Sequence, residues 1–152
     1  AILATVYSEA RSYRELAYPG FKKLAGYIFG GNESETKISM TSPVHMDIND
    51  TRSSMSFVMP SSLNSDNLPK PDDPDVVVEK TDDLYMAVVR FGGYASDKDI
   101  KYHSEKLKKL LEEKRIEHYG DFKFLGYDPP FQPFARKNEI IVAVNWPKER
   151  SE

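Results

Sequence analysis

The sequence predicts an α+β fold in which two helices pack on a mostly antiparallel sheet, and three observations carry that expectation. Short apolar or alternating segments recur along the chain as strands do, two other segments repeat their apolar residues at helical spacing, and the order strand, helix, strand, strand occurs in each half. The halves share element order alone and show no sequence repeat.

The first element, ILATVY between Ala1 and Ser8, is short, apolar and partly β-branched, which reads as a strand. Pro19-Gly20 is expected to break the chain. After it Phe21, Leu24, Ala25, Ile28 and Phe29 fall at i, i+3, i+4, i+7 and i+8, the apolar stripe of a helix that Gly30-Gly31-Asn32 ends. In KISMTSPVHMDI, from Lys37 to Ile48, Ile38, Met40, Val44, Met46 and Ile48 alternate with polar Lys37, Ser39, Thr41, His45 and Asp47, so the segment reads as one long half-buried strand interrupted by Pro43. Met55 to Met59 is its antiparallel partner, and the Pro/Asp/Asn-rich run from Ser61 to Asp75 is a surface loop.

Val76 to Lys80 and Leu84 to Phe91 give two more strands. A turn at Phe91-Gly92-Gly93-Tyr94 leads into a second helix, opened by Ser96 and Asp99 in the S-x-x-D pattern and carrying Ile100, His103, Leu107, Leu110 and Leu111 inward. Asp121 to Tyr127 and Glu139 to Trp146 read as the last strands, on either side of the loop DPPFQPFARKN.

Composition bounds the function. A chain of 152 residues is expected to be one domain, 1–152, large enough to bury roughly two-thirds of its unfolded surface. A net charge of -3 with interspersed acids and bases offers no basic field, so no nucleic-acid partner is expected. With no cysteine there is no disulfide, no thiolate metal site, no catalytic thiol and no covalent c-type haem attachment. No segment approaches the roughly 18 apolar residues of a membrane span. A cytoplasmic location is the expectation, with organelle or periplasm also compatible.

KISMTSPV, SFVMP, the Phe91-Gly92-Gly93-Tyr94-Ala95 turn and GYDPPFQPFARKNEIIV stand in the order and spacing of motifs of the SOUL haem-binding protein family, which the chain resembles over nearly its whole length. The resemblance implies a distorted, mostly antiparallel β-barrel of two similar halves with two packed helices, similar to the effector-binding domains of some bacterial transcription regulators. It also implies non-covalent binding of haem or another porphyrin. Family members usually begin with a further strand rich in Tyr, Glu and Arg, so the sequence reads as lacking the family's first strand.

A haem site needs an apolar slot, cations for two propionates and, optionally, an axial ligand. The resemblance places the site beside the first helix, which nominates Lys23, Leu24, Tyr27 and Ile28. All five methionines fall in expected strands, and Met40 and Met46 are the slot candidates from KISMTSPVHMDI, although gap-filling core is the commoner role of such residues. Phe131 and Phe134 offer an aromatic wall, and Arg136 and Lys137 at the mouth of the last strand suit the propionates. Without cysteine, a protein ligand to iron is His, Met or Tyr. His45 and His103 are the axial candidates, His45 preferred, while a hydrogen-bonded core role is the plainer reading of His103. Glu139 is a weak catalytic candidate whose simpler role is an ion pair with Arg136 or Lys137. The expected function is therefore reversible tetrapyrrole binding for storage, buffering or transfer. A small-molecule sensor or protein-interaction module, or an enzyme acting through Glu139, are the alternatives.

Overall fold

A computed structural model describes residues 1–128 and 134–146. Its elements run β1 (Ile2–Ser8), α1 (Tyr13–Ile28), β2 (Val44–Asp47), β3 (Ser53–Val58), β4 (Val76–Lys80), β5 (Met86–Gly92), α2 (Asp97–Glu113), β6 (His118–Gly126) and β7 (Lys137–Val144). The strands form one sheet in the order β4-β1-β3-β2-β6-β7-β5, antiparallel at every pair. The α+β expectation holds, and so does its division into halves. β1-α1-β2-β3 and β5-α2-β6-β7 are the same motif facing each other across the β2–β6 pair, with β4 added at one edge. The sheet is not closed, so the barrel is an open, distorted one. Among the described residues no helix is long and apolar enough to cross a membrane.

Cross-strand register explains how both faces become buried. Residues directly opposite in an antiparallel pair point to the same face. Val76, Val6, Met55, Met46, Phe124, Ile140 and Val89 therefore form one apolar row across all seven strands. α1 and α2 pack on that face, closing a core that takes in Leu16, Leu24, Ile28, Leu107 and Leu111. The neighbouring row on the other face is polar at most positions: Val77, Thr5, Ser56, His45, Leu125, Glu139 and Arg90. Thr5, Ser56, Leu125 and Glu139 in it are buried although no helix covers them, as a sheet curling into an open barrel requires. The Thr5 and Ser56 hydroxyls satisfy each other at 2.7 Å.

Two expectations need correction. α1 begins well before Pro19-Gly20. Ser12 caps it, its hydroxyl accepting from the Glu15 amide at 3.1 Å, and the helix continues through Pro19. Pro19 and Glu15 both lie on the exposed side, where water can take the carbonyl that proline leaves unpaired. Gly20 then lets the helix sit close to the sheet, since a Cβ there would meet Met55 at 3.3 Å. The second correction concerns KISMTSPVHMDI, of which only Val44–Asp47 pairs as a strand. Pro43 has no N–H to give a ladder, the Ser42-Pro43 peptide is cis, and Thr41 hydrogen-bonds through its hydroxyl to the Val58 carbonyl. Met40 consequently lies outside the sheet and is exposed, not inward.

Elsewhere the local signals hold. Ser96 caps α2 and receives the Asp99 amide at 3.2 Å. Of its expected stripe Leu107 and Leu111 are buried, Ile100 and His103 half-buried, and Leu110 is exposed. Asn32, buried after α1, holds the loop beyond the helix: its amide nitrogen donates to the Tyr27 and Thr36 carbonyls, and its oxygen accepts from the Ser34 and Thr36 amides.

Candidate functional site

Two open cavities lie on the helix-bearing side. The first, about 460 Å³, runs along the outer flank of α1, where Pro19, Lys22, Lys23, Gly26 and Tyr27 face Gly31, Asp72 and Asp73. Its floor is low because Gly26 has no side chain, and a Cβ added there would meet nothing within 4 Å. The Tyr27 hydroxyl donates to the Pro69 carbonyl at 2.6 Å, pinning the loop that forms the opposite wall. Lys23 reaches across to Asp75 at 2.9 Å, while Lys22 is exposed at the rim. Leu24 and Ile28 are fully buried behind this flank, in the core.

The second cavity, about 600 Å³, opens between the first turns of α2 and the β2–β6 seam. Met46 and Phe124 are its buried floor, with Ile100 and Phe122 as walls. At one end Asp97 accepts the Tyr13 and Arg14 amides at 2.6 and 3.4 Å, so the starts of both helices meet at a single carboxylate. At the other end the Asn49 amide donates to Asp47 at 3.2 Å and to Asp121 at 3.4 Å.

The expected site residues are thus divided. Lys23 and Tyr27 line the first cavity and Met46 the second. Arg136 stacks its guanidinium 4.0 Å over the Tyr94 ring, on the side of the start of α1, and the Lys137 amide donates to the Asp128 carboxylate. Tyr13, which feels the Arg136 charge, and Tyr27 are fourteen residues apart on α1, roughly 21 Å along its axis. Arg136 and Tyr27 are therefore not brought to one ligand. Phe134 is exposed, and Phe131 lies outside the described residues.

Neither histidine faces the first cavity. His45 stands in the polar row of the helix-free face, where burial and the nearby Lys123 push its imidazole down to about 4. His103 is half-buried against Phe91, rings stacked at 4.0 Å, and its Nδ1 has no hydrogen-bond partner among the described residues, so it is a stacked and not a hydrogen-bonded core residue. Among those residues no three His, Asp or Glu side chains gather in a metal-binding group.

Glu139 departs from its expected partners. Its carboxylate takes the Arg90 Nε at 2.7 Å and the Tyr127 hydroxyl, not Arg136 or Lys137, because register places Arg90 directly opposite on β5. Burial, and then the bond to Glu139, push the Tyr127 hydroxyl up to about 12, so it stays a donor. The three residues tie β5, β7 and the end of β6 together.

The seam carries an opposed pair of titrations. Burial and the neighbouring Asp121 raise Asp47 to about 6, so its stabilising contribution is full below its ordinary 3.8 and is lost as pH rises through about 6. His45 is lowered, so its contribution is full above its ordinary 6.5 and is lost as pH falls toward about 4. The two slopes oppose between those limits. In urea denaturation at pH 4.5 and 7.5, His45→Gln is expected to gain stability relative to the parent at the lower pH, and Asp47→Asn to gain at the higher. Each difference should be on the order of 1–2 kcal/mol once solvent screening of these half-buried groups is allowed for. Parallel pH profiles for parent and variants would contradict this assignment.

Comparison with known proteins follows the same lines. A family model described as SOUL heme-binding protein matches residues 1–143. Heme-binding protein 1 of Xenopus laevis is 31% identical over 142 residues, covering 89% of this chain and 74% of its own length. Heme-binding protein 2 of Mus musculus is 33% identical over 137 residues, covering 84% of this chain and 66% of its own. The crystal structure of the EcmrR C-terminal domain superposes with a TM-score of 0.69 over 95% of this chain and 90% of that one, at 9% identity, a likeness of fold.

Proposed function

The chain belongs to the SOUL heme-binding protein family, and from that premise we propose that it binds haem or a related tetrapyrrole reversibly and non-covalently, for storage, buffering or transfer. The match over residues 1–143 carries the reading. We treat the chain as one binding unit, since a single sheet runs through both halves.

The first cavity is the better place for the macrocycle. Its volume falls within the usual range for small-molecule sites, its floor beside Gly26 and Pro19 is bare and largely apolar, and Lys22 and Lys23 stand at the rim where propionates would lie. Lys23 has Asp75 to exchange for a propionate; Lys22 needs no partner broken among the described residues. The Tyr27 hydroxyl is committed to Pro69, and no histidine lines the cavity. Binding there rests on apolar contact and exposed cations, both of which water can replace, so release is not opposed by a strong axial bond.

Hemin titration followed at the Soret band tests this. The parent is expected to give a saturable shift, and Lys22→Glu/Lys23→Glu to bind at least tenfold more weakly, about 1.4 kcal/mol. His45→Ala and His103→Ala are expected to bind like the parent. A parent without a saturable shift overturns the function. A histidine variant that loses the shift moves the site away from α1.

A further inference from the structure

We propose that the outer edge of β5 is a docking surface for the same strand of a second copy of this chain, paired antiparallel about a two-fold axis at Met86. Among the described residues no strand pairs with that edge. The two halves of the sheet show what it lacks. The row Val6, Met55, Met46, Phe124, Ile140 and Val89 is symmetric about its central Met46–Phe124 pair, so Val6 of β1 corresponds to Val89 of β5. Along the two strands Leu3, Ala4 and Thr5 then correspond to Met86, Ala87 and Val88. β1 has β3 on one side and β4 on the other, whereas β5 has β7 alone. Thr5 is accordingly 2% exposed and Val88 48%, Leu3 8% and Met86 41%. β5 is an inner strand in composition, left without an outer neighbour.

The edge is open in its backbone and apolar in its side chains. The Val144 amide donates to the Tyr85 carbonyl at 2.9 Å, so by alternation the peptide groups of Ala87, Val89 and Phe91 also face β7, and those of Met86, Val88 and Arg90 point outward. Ile141 and Ala143, opposite Val88 and Met86 on β7, are buried, which makes Val88 and Met86 the uncovered margin of an apolar surface. Edges that stay single are blunted by charge, proline or shortness. β4, at the other edge, is five residues long, follows Pro74-Asp75 and ends in Glu79-Lys80. β5 has seven residues, no lysine and no proline, and its one charge, Arg90, is offset by Glu139.

Charge and register select a second copy as the occupant. In an antiparallel pair centred on Met86, that residue meets its own counterpart, Val88 faces Leu84 and Arg90 faces Asp82. Exposed apolar residues then meet one another, Leu84 included, and an Arg–Asp pair closes each end. The Arg90 side chain is 81% exposed while its Nε serves Glu139, so the fork of its guanidinium can take a second carboxylate through the terminal nitrogens. Moving the axis by two residues loses this match: centred on Val88, Arg90 faces Met86, and centred on Leu84, Met86 faces Asp82. The antiparallel sense that a two-fold axis imposes is also the one that β4 takes on β1.

Sedimentation equilibrium of the full chain, with thiol cross-linking, tests this. The parent is expected to reach twice the mass of one chain at micromolar concentration. Val88→Lys and Asp82→Lys, both at exposed positions, should each weaken self-association at least tenfold while leaving the circular dichroism spectrum unchanged. Because the chain has no cysteine, Met86→Cys introduces its one thiol, and mild oxidation should give a covalent dimer, since opposed residues of a hydrogen-bonded pair lie about 5.5 Å apart between Cα atoms. Val88→Cys should stay uncrosslinked, its counterpart lying beyond reach across the axis. A parent that is monomeric at every concentration overturns the proposal and leaves the edge to a strand from elsewhere. A dimer that survives Val88→Lys, or one that crosslinks through Val88→Cys and not Met86→Cys, overturns it as well.

Discussion

Tryptophan at Gly26 is expected to abolish measurable hemin binding while leaving the protein folded. A side chain built from Gly26 enters the first cavity directly, with open space around its Cβ, so an indole there occupies the floor on which a macrocycle would lie. A loss of more than about a hundredfold in affinity, roughly 3 kcal/mol, is the expected scale. Stability should hold or rise by about 0.5–1 kcal/mol, because glycine in a helix interior is the less favourable residue there. That combination separates blockage from unfolding: a Soret titration gives the first quantity and urea denaturation the second. Unchanged hemin affinity in the folded variant would exclude the α1 flank as the site, whatever the fate of the family's function.

Phe57→Ala is expected to cost about 3–5 kcal/mol, a large part of the 5–15 kcal/mol that holds a typical domain together. Phe57 is 1% exposed on β3, opposite Ala4 and Val44, and its ring meets Phe21 of α1 edge-on at 5.5 Å. Truncation leaves a hole bounded by strands on both sides and a helix above. At about 2–4 °C per kcal/mol for a chain of this size, the melting temperature should fall by roughly 6–20 °C. A loss below about 1 kcal/mol would mean that α1 and β3 repack, and that the helix-bearing core is less tightly specified than the register implies.

Much of the fold was legible because its signals are local. The Ser96 cap, the Val76–Lys80 strand and the Leu107/Leu111 stripe follow from side chains within one turn or one pleat of each other. The errors arose where distant contacts overrode such signals. Pro19-Gly20 did not precede α1 but lies inside it, since Ser12 starts the helix and Leu16, Leu24 and Ile28 bury one face along its whole length. Alternation in KISMTSPVHMDI did not make a long strand, because Pro43 cannot pair and Met40 has no neighbouring strand to pack on.

For the candidate site the division is sharper. Lys23 and Tyr27 were nominated because the family resemblance named the helix, and helical spacing puts both on the flank that lines the first cavity. Gly26, Asp72 and Asp73 were missed: a glycine gives no chemical signal, and the two aspartates come from a loop far along the chain. Glu139 was expected to pair with Arg136 or Lys137, and its partners were misjudged because Arg90 lies 49 positions away and only strand pairing sets it opposite.

The sequence by itself determined the element types, the two-half order, the absence of thiol chemistry and the family. Tertiary structure decided which face each strand residue takes across all seven strands, which sent His45 into the polar row away from α1 and Met46 beneath the second cavity. The physical reason is that alternation tells a side chain only that it has two faces to choose between. Which face is covered by a helix, and which curls inward without one, depends on pairings between residues far apart in the chain.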